Sequence, residues 1–491
     1  MNINPLKPDI PVLMILIFMS LLGLPQNSKV DTNRLNFIPV LPGDSPTSII
    51  EKAANVAPSG RQYQWQEMEF IAFTHFGMNT FTDREWGDGK SDPRIFNPDA
   101  FNAEQWAKVI HDAGMKMIIL TAKHHDGFCL WPSKWTDYSV AGSPWKNGKG
   151  DVVKEVSEAC RKYGLKFGIY LSPWDRHEAS YSDTPRYNEF FRNQLRELLS
   201  NYGKISEVWF DGACGEGPNG KKQSYDWPSW YKLIRELQPD AVIAIMGPDV
   251  RWVGTESGSG RKTEWSVLPD IVKNTDSLAS SSQENNLDAA FVPQNLMNED
   301  LGGRIKIIKA KNLCWYPAEA DVSIRPGWFY HENEDSLVKT SEQLVDIYFS
   351  SVGRNSVLLL NIPPNKHGLI QDQDIKSLKG MRKILEETFR KNIIGDKDPR
   401  SSDIAYIYSL SSAGPFNVAL LAEDILKGQH IERFQIDYLD GTEWKTIVKG
   451  TTVGYKRLLR FNDIITTKVR LMIESSRGVP HIKDFGLYKM N

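Results

Sequence analysis

The chain has 491 residues, of which 41% are hydrophobic and 24% charged, a composition that excludes wholesale disorder and collagen-like repetition. Its 59 Lys and Arg residues against 61 Asp and Glu residues give a net charge of −2, which argues against a nucleic-acid partner, because such proteins carry a basic bias. Aromatic residues make up 11% of the chain and include 15 Trp, which fits either a large core or a cleft lined with flat rings.

Residues 1–26 are predicted to be a signal peptide. A single cation, Lys7, precedes an apolar run from Pro11 to Leu24 that is shorter than the ~20 residues of a comfortable membrane span. We therefore expect an exported protein, periplasmic or secreted. An uncleaved N-terminal anchor is the alternative, and we expect no other membrane partner. Residues 27–60 are polar with scattered Pro and are predicted to be a linker.

From residue 61 to 390, strand patterns alternate with helix patterns. Apolar runs predict strands at 70–78, 115–121, 166–171, 205–210, 241–246 and 356–360. Amphipathic patterns predict helices at 101–113, 152–163, 185–202, 227–237, 339–351 and 370–389. This alternation is typical of parallel strands with right-handed crossovers and predicts an α/β fold, a (β/α)8-like barrel. The irregular stretch 253–312 predicts that the barrel is imperfect.

The pattern changes in residues 391–491, where short alternating runs are separated by Gly, Asn and Asp turns. These runs lie at 403–410, 416–421, 432–439, 456–461 and 468–473. A strand-only pattern with this spacing predicts a C-terminal β-sandwich domain.

Polar and ionisable residues directly follow four of the predicted barrel strands. They are His75, Lys123-His124-His125-Asp126, Ser172-Pro173-Trp174-Asp175 and Asp211. Because chemistry in parallel barrels gathers at the C-terminal ends of the strands, we expect these residues to share one site. Asp211 is the sharpest candidate, since it follows a buried run and precedes two small residues that leave room for a ligand. A helix N-cap or a turn is its alternative role.

Glu256 lies in the loop-rich stretch that follows and could reach over the same rim. Two carboxylates, one attacking the anomeric carbon and one protonating the leaving oxygen, are what glycoside hydrolysis requires. Glu264 is the rival acid, and a solvated loop position is the alternative for Glu256.

His75, His124 and His125 could instead be metal ligands. Adjacent His residues leave a strand end in opposite directions, which is a poor geometry for binding one ion, and the four Cys residues lack C-x-x-C spacing. Neutral imidazole both donates and accepts hydrogen bonds, as sugar hydroxyls require. We therefore expect no metal and no other cofactor.

Several Trp residues fall in predicted loops or beside strand ends. They are Trp86, Trp131, Trp174, Trp252 and Trp328. Flat apolar rings beside polar groups match the C–H face and the hydroxyl edge of a sugar. We expect at least two of these rings to line the pocket.

Longer motifs surround these residues. They are FTHFGMNTF (73–81), REWGDG (84–89), TAKHHDGFCLW (121–131), IYLSPWDRH (169–177), VWFDGA (208–213), RWVGTESG (251–258), TEWSV (263–267), PAEADVSIRPGWFYH (317–331) and NSVLLLNIPP (355–364). In these motifs the chain resembles the α-L-fucosidases of glycoside hydrolase family 29. It is most similar to the branch that cleaves α-1,3 and α-1,4 fucosyl linkages in Lewis-type glycans.

The resemblance implies a retaining exo-α-L-fucosidase that acts on fucosylated oligosaccharides and glycoconjugates by double displacement. It implies that Asp211 is the nucleophile and Glu256 the general acid/base. It also implies a set of fucose-binding residues, namely His75, Glu85, Trp86, His124, His125, Tyr170, Arg261 and Trp328, the last against the methyl group of the sugar. Two alternatives remain open: a metal-dependent hydrolase that uses the three His residues as ligands, and a non-catalytic fucose-binding protein.

Overall fold

The fold is seen in a computed structural model, which describes residues 35–217, 219–273, 275, 300–395, 400–402, 404–411 and 414–490. The predicted signal peptide and part of the irregular stretch 253–312 lie outside these residues. Within the described ranges, no helix combines the length and the apolar character needed to cross a bilayer.

The strands before residue 370 form two sheets. In chain order they are β1 (Phe37–Pro39), β2 (Phe70–Thr74), β3 (Met117–Lys123), β4 (Lys166–Leu171), β5 (Glu207–Phe210), β6 (Val242–Ile245), β7 (Arg251–Trp252), β8 (Val267–Pro269), β9 (Asn312–Trp315), β10 (Ala318–Ser323) and β11 (Ser356–Asn361). Eight of them form a parallel sheet in the order β6-β5-β4-β3-β2-β11-β10-β7, and β1-β9-β8 form a small antiparallel sheet.

Helices cover the outside of the parallel sheet. In chain order the α-helices of the described residues are α1 (Pro46–Asn55), α2 (Gly60–Gln66), α3 (Met78–Thr82), α4 (Ala103–Asp112), α5 (Val152–Lys162), α6 (Thr184–Asn201), α7 (Trp227–Leu237), α8 (Arg304–Ile307), α9 (Ser341–Ser350) and α10 (Asp372–Phe389). The predicted α/β fold class, a (β/α)8-like barrel, is confirmed.

The barrel is nearly closed between β6 and β7, and it is imperfect there. The Ile245 N–H donates to the carbonyl of Val250 (3.1 Å), and the Val250 N–H donates to the carbonyl of Ile243 (3.3 Å). The connection between these parallel strands is only the turn 246–250, which has no room for a crossover helix. The irregularity therefore begins just before the stretch where the sequence predicts it.

Side chains of the barrel strands alternate between two apolar layers. In β2, Ile71 and Phe73 point into the barrel interior, whereas Phe70 and Ala72 pack against the outer helices. Because both faces of such a strand are buried, its sequence is a continuous apolar run. Strand β10 is different, since it buries two acidic residues, Glu319 and Asp321, in the barrel.

Glu319 shares the barrel interior with a second carboxyl group, that of Glu207. The indole N–H of Trp65 donates to Glu207 Oε2 (2.7 Å), and that of Trp209 donates to Glu319 Oε2 (2.8 Å). Burial raises the pKa of Glu207 to about 8. Burial, followed by the charge of Glu207, raises the pKa of Glu319 well above its usual range. The two glutamates, which are hydrogen-bonded to each other, therefore retain protons at neutral pH.

We expect Glu319→Gln to flatten the loss of thermal stability at alkaline pH. Because both carboxyl groups have raised pKa values in the folded state, folding takes up protons, and stability falls as pH rises from about 4.3 through the raised pKa values. Glutamine keeps the acceptor for Trp209 and can donate to Glu207. Between about pH 5 and 9 the melting temperature of the wild type should fall about 2–4 °C further than that of the variant. The exposed Glu386→Gln control should show the same pH dependence of the melting temperature as the wild type. If E319Q also showed that pH dependence, the raised pKa assigned to Glu319 would be contradicted.

Two antiparallel sheets follow the barrel. Their strands are β12 (Arg400–Ser402), β13 (Ala405–Ser409), β14 (Phe416–Glu423), β15 (Ile431–Asp440), β16 (Glu443–Gly450), β17 (Arg457–Ile464), β18 (Lys468–Ser476) and β19 (Ile482–Tyr488). A five-stranded sheet, β12-β13-β18-β15-β16, faces the three-stranded sheet β17-β14-β19 across one apolar core. Strand β14 has two buried faces: Ala419 and Leu421 point into this core, and Val418 and Leu420 join the apolar layer of the barrel helices.

Residues 35–60 were predicted to belong to a linker but contain β1 and α1. Strand β1 pairs with β9, and α1 packs Ile49 and Ala53 into an apolar cluster that includes Trp315 and Ile425. Only one face of α1 is buried, so the segment looks polar in sequence even though it packs on the barrel. The limits of the domains stay predictions.

Candidate active site

Asp211 directly follows β5 at the C-terminal end of the barrel. The hydroxyl of Tyr170 donates to Oδ2 (2.9 Å), and the backbone N–H of Ala213 donates to Oδ1 (2.8 Å). About a quarter of the side chain remains exposed (24%). Two donors therefore fix the orientation of the carboxylate while leaving it accessible to a ligand.

His75, His124 and His125 lie together beside Asp211. The ring centroids of His124 and His125 are 4.1 Å apart, and those of His75 and His124 are 5.8 Å apart. His125 Nε2 lies 3.7 Å from Asp211 Oδ2. Burial lowers the pKa of all three imidazoles, that of His75 to about 3, so each of them is neutral at neutral pH.

Asn361, the last residue of β11, determines which nitrogen of His75 carries the proton. Its Nδ2 donates to Ser323 Oγ (2.9 Å) and to the carbonyl of Trp328 (2.8 Å), so Oδ1 is the atom that faces His75. His75 Nδ1 lies 2.8 Å from Oδ1 and must be the donor. Nε2 of His75 is therefore left as an acceptor. Sequence reasoning missed Asn361, although it directly follows a predicted strand, as Asp211 does.

The same argument assigns the protons of His125 and His124. Ser172 Oγ gives its only proton to a backbone carbonyl (2.7 Å) and so accepts from His125 Nδ1 (2.7 Å), which leaves Nε2 as an acceptor. Asn79 Nδ2 donates to His124 Nδ1 (3.3 Å), which places the proton of His124 on Nε2. The three imidazoles thus offer two acceptors and one donor, a pattern that matches sugar hydroxyls.

Three of the Trp residues selected from the sequence pack against these imidazoles. The ring centroids of Trp86 and Trp174 lie 5.3 and 5.2 Å from the ring centroid of His125. The ring centroids of Trp328 and His75 are 5.2 Å apart. Trp131 does not belong to the site, because it is buried in the core, where its indole N–H donates to Glu197. Trp252 donates to the buried carboxyl group of Asp321 (2.7 Å).

Glu256 lies in the loop after β7, where the indole N–H of Trp328 donates to its Oε2 (3.3 Å). Burial is the largest cause that raises its pKa; the hydrogen bond from Trp328 opposes the rise, and the charges of Asp211 and Glu85 add to it. The net effect favours the protonated acid more than in an ordinary glutamate. The structure thus brings a second carboxyl group within electrostatic reach of Asp211.

The rival acid, Glu264, has a different environment. Its carboxylate is buried and forms ion pairs with Arg251 and with Arg261, whose guanidinium lies 3.5 Å away. The backbone N–H of Arg261 also donates to it (3.0 Å). A buried carboxylate between two guanidinium groups is shielded from a ligand. Arg261, predicted to bind fucose, is itself buried beside Glu264.

Glu85, another predicted fucose-binding residue, holds a neighbouring loop. Its carboxylate accepts the backbone N–H groups of Trp328 (2.9 Å) and Phe329 (3.1 Å), and it lies 2.7 Å from His331 Nε2. Sequence reasoning missed Phe329 and His331, although both lie in the motif that contains Trp328. The acceptor atoms of Glu85 thus orient the loop that carries the Trp328 ring.

Two further strand-end candidates, Lys123 and Asp175, form a buried ion pair (2.8 Å) that supports the rim. Within the ranges that the structure covers, no group of three or more His, Cys, Asp and Glu side chains has an arrangement that could hold a metal ion. Each of the three pocket histidines uses Nδ1 for a contact with a neighbouring side chain.

Comparison with known proteins gives one consistent family. The family model described as Alpha-L-fucosidase matches residues 51–388. Alpha-L-fucosidase 1 of Arabidopsis thaliana is 43% identical over 468 residues, which cover 88% of this chain and 87% of the plant protein. The crystal structure of a candidate α-L-fucosidase from Bacteroides ovatus is 51% identical, with a TM-score of 0.86, and the match covers 93% of this chain and 78% of that one. A Ruminococcus gnavus fucosidase of glycoside hydrolase family 29, solved in complex with fucose, is 31% identical, with a TM-score of 0.76 and coverage of 93% and 99%.

Proposed function

The chain belongs to the α-L-fucosidase family of glycoside hydrolases, and we propose that it is a retaining exo-enzyme that removes terminal α-1,3- or α-1,4-linked L-fucose. The observation that carries the proposal is the pair of carboxyl groups in one pocket. Asp211 is oriented by two donors, whereas the pKa of Glu256 is raised. Two carboxyl groups in different environments are the arrangement that separates a nucleophile from an acid.

The reaction is a double displacement. A carboxylate oxygen of Asp211 attacks the anomeric carbon of fucose, and the bond from that carbon to the leaving oxygen breaks as Glu256 gives the oxygen its proton. This step leaves a β-fucosyl-enzyme. Glu256 then takes a proton from water, whose oxygen attacks the anomeric carbon and releases Asp211 and fucose in its original configuration.

The surroundings of the two carboxyl groups support the proposed substrate class. The mixed donors and acceptors of His75, His124 and His125 suit the hydroxyls of one sugar, and the rings of Trp86 and Trp328 suit its apolar faces. We propose a fucosylated oligosaccharide or glycoconjugate as the partner, and the similarity of the motifs supports the α-1,3/1,4 branch. The apolar N-terminal segment supports a periplasmic or secreted location.

The test is product analysis with the full chain on α-1,2-, α-1,3-, α-1,4- and α-1,6-linked fucosides side by side. We expect release of free fucose from the α-1,3 and α-1,4 substrates at least about tenfold faster than from the other two, a difference of about 1.4 kcal/mol in barrier. Proton NMR of the first product should show the α-anomer before mutarotation. Equal rates on all four linkages would contradict the linkage assignment, and a first-formed β-anomer would contradict retention.

EDTA treatment of the same preparation tests the metal-dependent alternative. We expect the rate on the preferred fucoside to be unchanged, because the residues proposed for catalysis act without a metal ion. A large loss that added Zn²⁺ or Mn²⁺ restores would support a metal hydrolase instead. Binding of fucose without hydrolysis of any substrate would support the non-catalytic alternative.

A further inference from the structure

A continuous series of contacts leads from the surface to Glu256. It begins at Asp83, whose Oδ1 lies 2.7 Å from Nδ1 of His331. Nε2 of the same imidazole lies 2.7 Å from Oε1 of Glu85. The Glu85 carboxylate accepts the backbone N–H of Trp328 (2.9 Å), and the Trp328 indole N–H donates to Glu256 Oε2 (3.3 Å).

We propose that His331 is a positioning residue for the general acid/base: through Glu85 it holds Trp328 so that the indole N–H reaches Glu256. The inference rests on the proposed role of Glu256. It extends that role, because Trp328 contacts Glu256 directly, whereas His331 acts on it through Glu85 and Trp328.

The loop that carries Trp328 is built around this arrangement. A Cβ atom on Gly327 would lie 2.6 Å from Glu85 Oε1 and 3.0 Å from the His331 ring, so a side chain at this position would displace both groups. The Gly327 N–H donates to Glu334 Oε2 (3.1 Å). The carboxylates of Glu85 and Glu334 thus hold the backbone of the loop, and the His331 ring contacts the same Glu85 carboxylate.

The charge of His331 determines how many carboxylates it can hold. Its imidazole faces Asp83, Glu85 and Glu334, and the charge of Lys366 also acts on Asp83. Burial alone would lower the pKa of His331, but the hydrogen bonds to Asp83 and Glu85 and the charges of Glu85 and Glu334 together outweigh burial and raise the pKa. The cation donates to both carboxylates, whereas the neutral ring has one N–H and must release one of them. Raising the pH through this pKa therefore weakens the hold on Glu85 and, through it, on Trp328.

The experiment follows the Trp328 ring directly by ¹⁹F NMR of the full chain labelled with 5-fluorotryptophan. The Trp328 resonance is assigned by its absence in Trp328→Phe. It is titrated in a Glu256→Gln background, which removes the titration of Glu256 itself. We expect one step above about pH 6.5, the ordinary value for histidine, that disappears when His331→Gln is added. The exposed His111→Gln, on α4, is the matched control and should keep the step.

Asp83→Asn is a second variant, and it changes an exposed side chain. The fold should therefore accept this substitution even if it does not accept a change at the more buried His331. It removes one of the three carboxylates that raise the pKa of His331, and the step of the Trp328 resonance should move to lower pH. A step that keeps its midpoint in D83N and persists in H331Q would overturn the proposal.

Kinetics separate this proposal from the proposed function. If the chain is a fucosidase, H331Q and W328F should each lower kcat more than they raise KM, and the double variant should be no slower than W328F alone. If the losses of kcat in H331Q and W328F multiplied in the double variant, His331 would not act through Trp328, and the inference would be overturned. Absence of fucosidase activity in the wild type, with the NMR step intact and lost in H331Q, would refute the proposed function and leave the link from His331 to Trp328 standing.

Discussion

Asp211→Ala is expected to reduce kcat on the preferred fucoside by at least about 10³-fold, the order of loss found when a hydrolase loses its covalent nucleophile. The reason is local: the carboxylate is the group that Tyr170 and the Ala213 N–H orient beside the three imidazoles. The side chain is partly exposed, and Asp211 follows a strand whose four residues are themselves buried. We therefore expect the melting temperature to stay within a few degrees of the wild type.

Azide provides the decisive control for Asp211. In D211A the removed carboxylate leaves space for a small anion, which can attack the anomeric carbon in its place and form a β-fucosyl azide. Partial recovery of turnover with an activated aryl fucoside, and β-fucosyl azide as the product, is the expected outcome. Asp240→Ala, at an exposed position paired with Lys204, should keep wild-type kinetics. Near wild-type activity of D211A without azide would show that another group is the nucleophile.

The strand-end argument predicted much of the pocket, because it depends only on the polarity of a parallel barrel. Asp211, His75 and the His124-His125 pair each follow an apolar run, and the structure brings them together. Asn361 obeys the same rule and could have been found by it. Its role depends on which of its amide atoms faces His75, and that follows only from the donors and acceptors packed around it in three dimensions.

The sequence pattern did not predict strand β10, and the reason is physical. Its sequence, AEADVS, has no apolar run, because Glu319 and Asp321 bind indole N–H groups inside the barrel instead of packing there as apolar side chains. The helix α7 and strand β4, in contrast, begin and end where the sequence predicts. Local signals mark those ends: Asp226 caps the helix through the backbone N–H of Ser229, and Gly164 takes a positive φ just before the strand.

Residues in loops were the hardest to interpret, because their roles depend on what the loop meets. Glu256 and Glu264 lie eight positions apart in one polar stretch, and both precede or follow small residues in the sequence. Only the fold separates them, since it buries one carboxylate between two arginines and places the other against Trp328. In the same way, Glu85 looks like a sugar ligand in its motif, whereas the structure shows its carboxylate holding backbone N–H groups.

Glu256→Gln is expected to make the rate depend strongly on the leaving group. On a natural glycan, whose departing oxygen needs a proton, kcat/KM should fall by about 10²–10⁴-fold, the usual contribution of a general acid. On an aryl fucoside with an acidic phenol, the first step needs little protonation, and the loss should be much smaller. The group must be protonated for the first step, so wild-type activity on the glycan should fall as pH rises through the raised pKa of Glu256. In E256Q, this fall of activity at alkaline pH should be absent.

Glu264→Gln is the matched comparison, because it makes the same chemical change eight positions away. Removing the buried negative charge breaks the ion pairs of Glu264 with Arg251 and Arg261, a change that costs about 3–5 kcal/mol in buried pairs. E264Q should therefore lower the melting temperature and keep the wild-type ratio of rates on the glycan and the aryl fucoside. The acid would be Glu264 if E264Q, and not E256Q, changed the ratio of the two rates and removed the fall of activity at alkaline pH. The raised pKa of Glu256, which burial and the charges of Asp211 and Glu85 produce, would then serve no catalytic purpose.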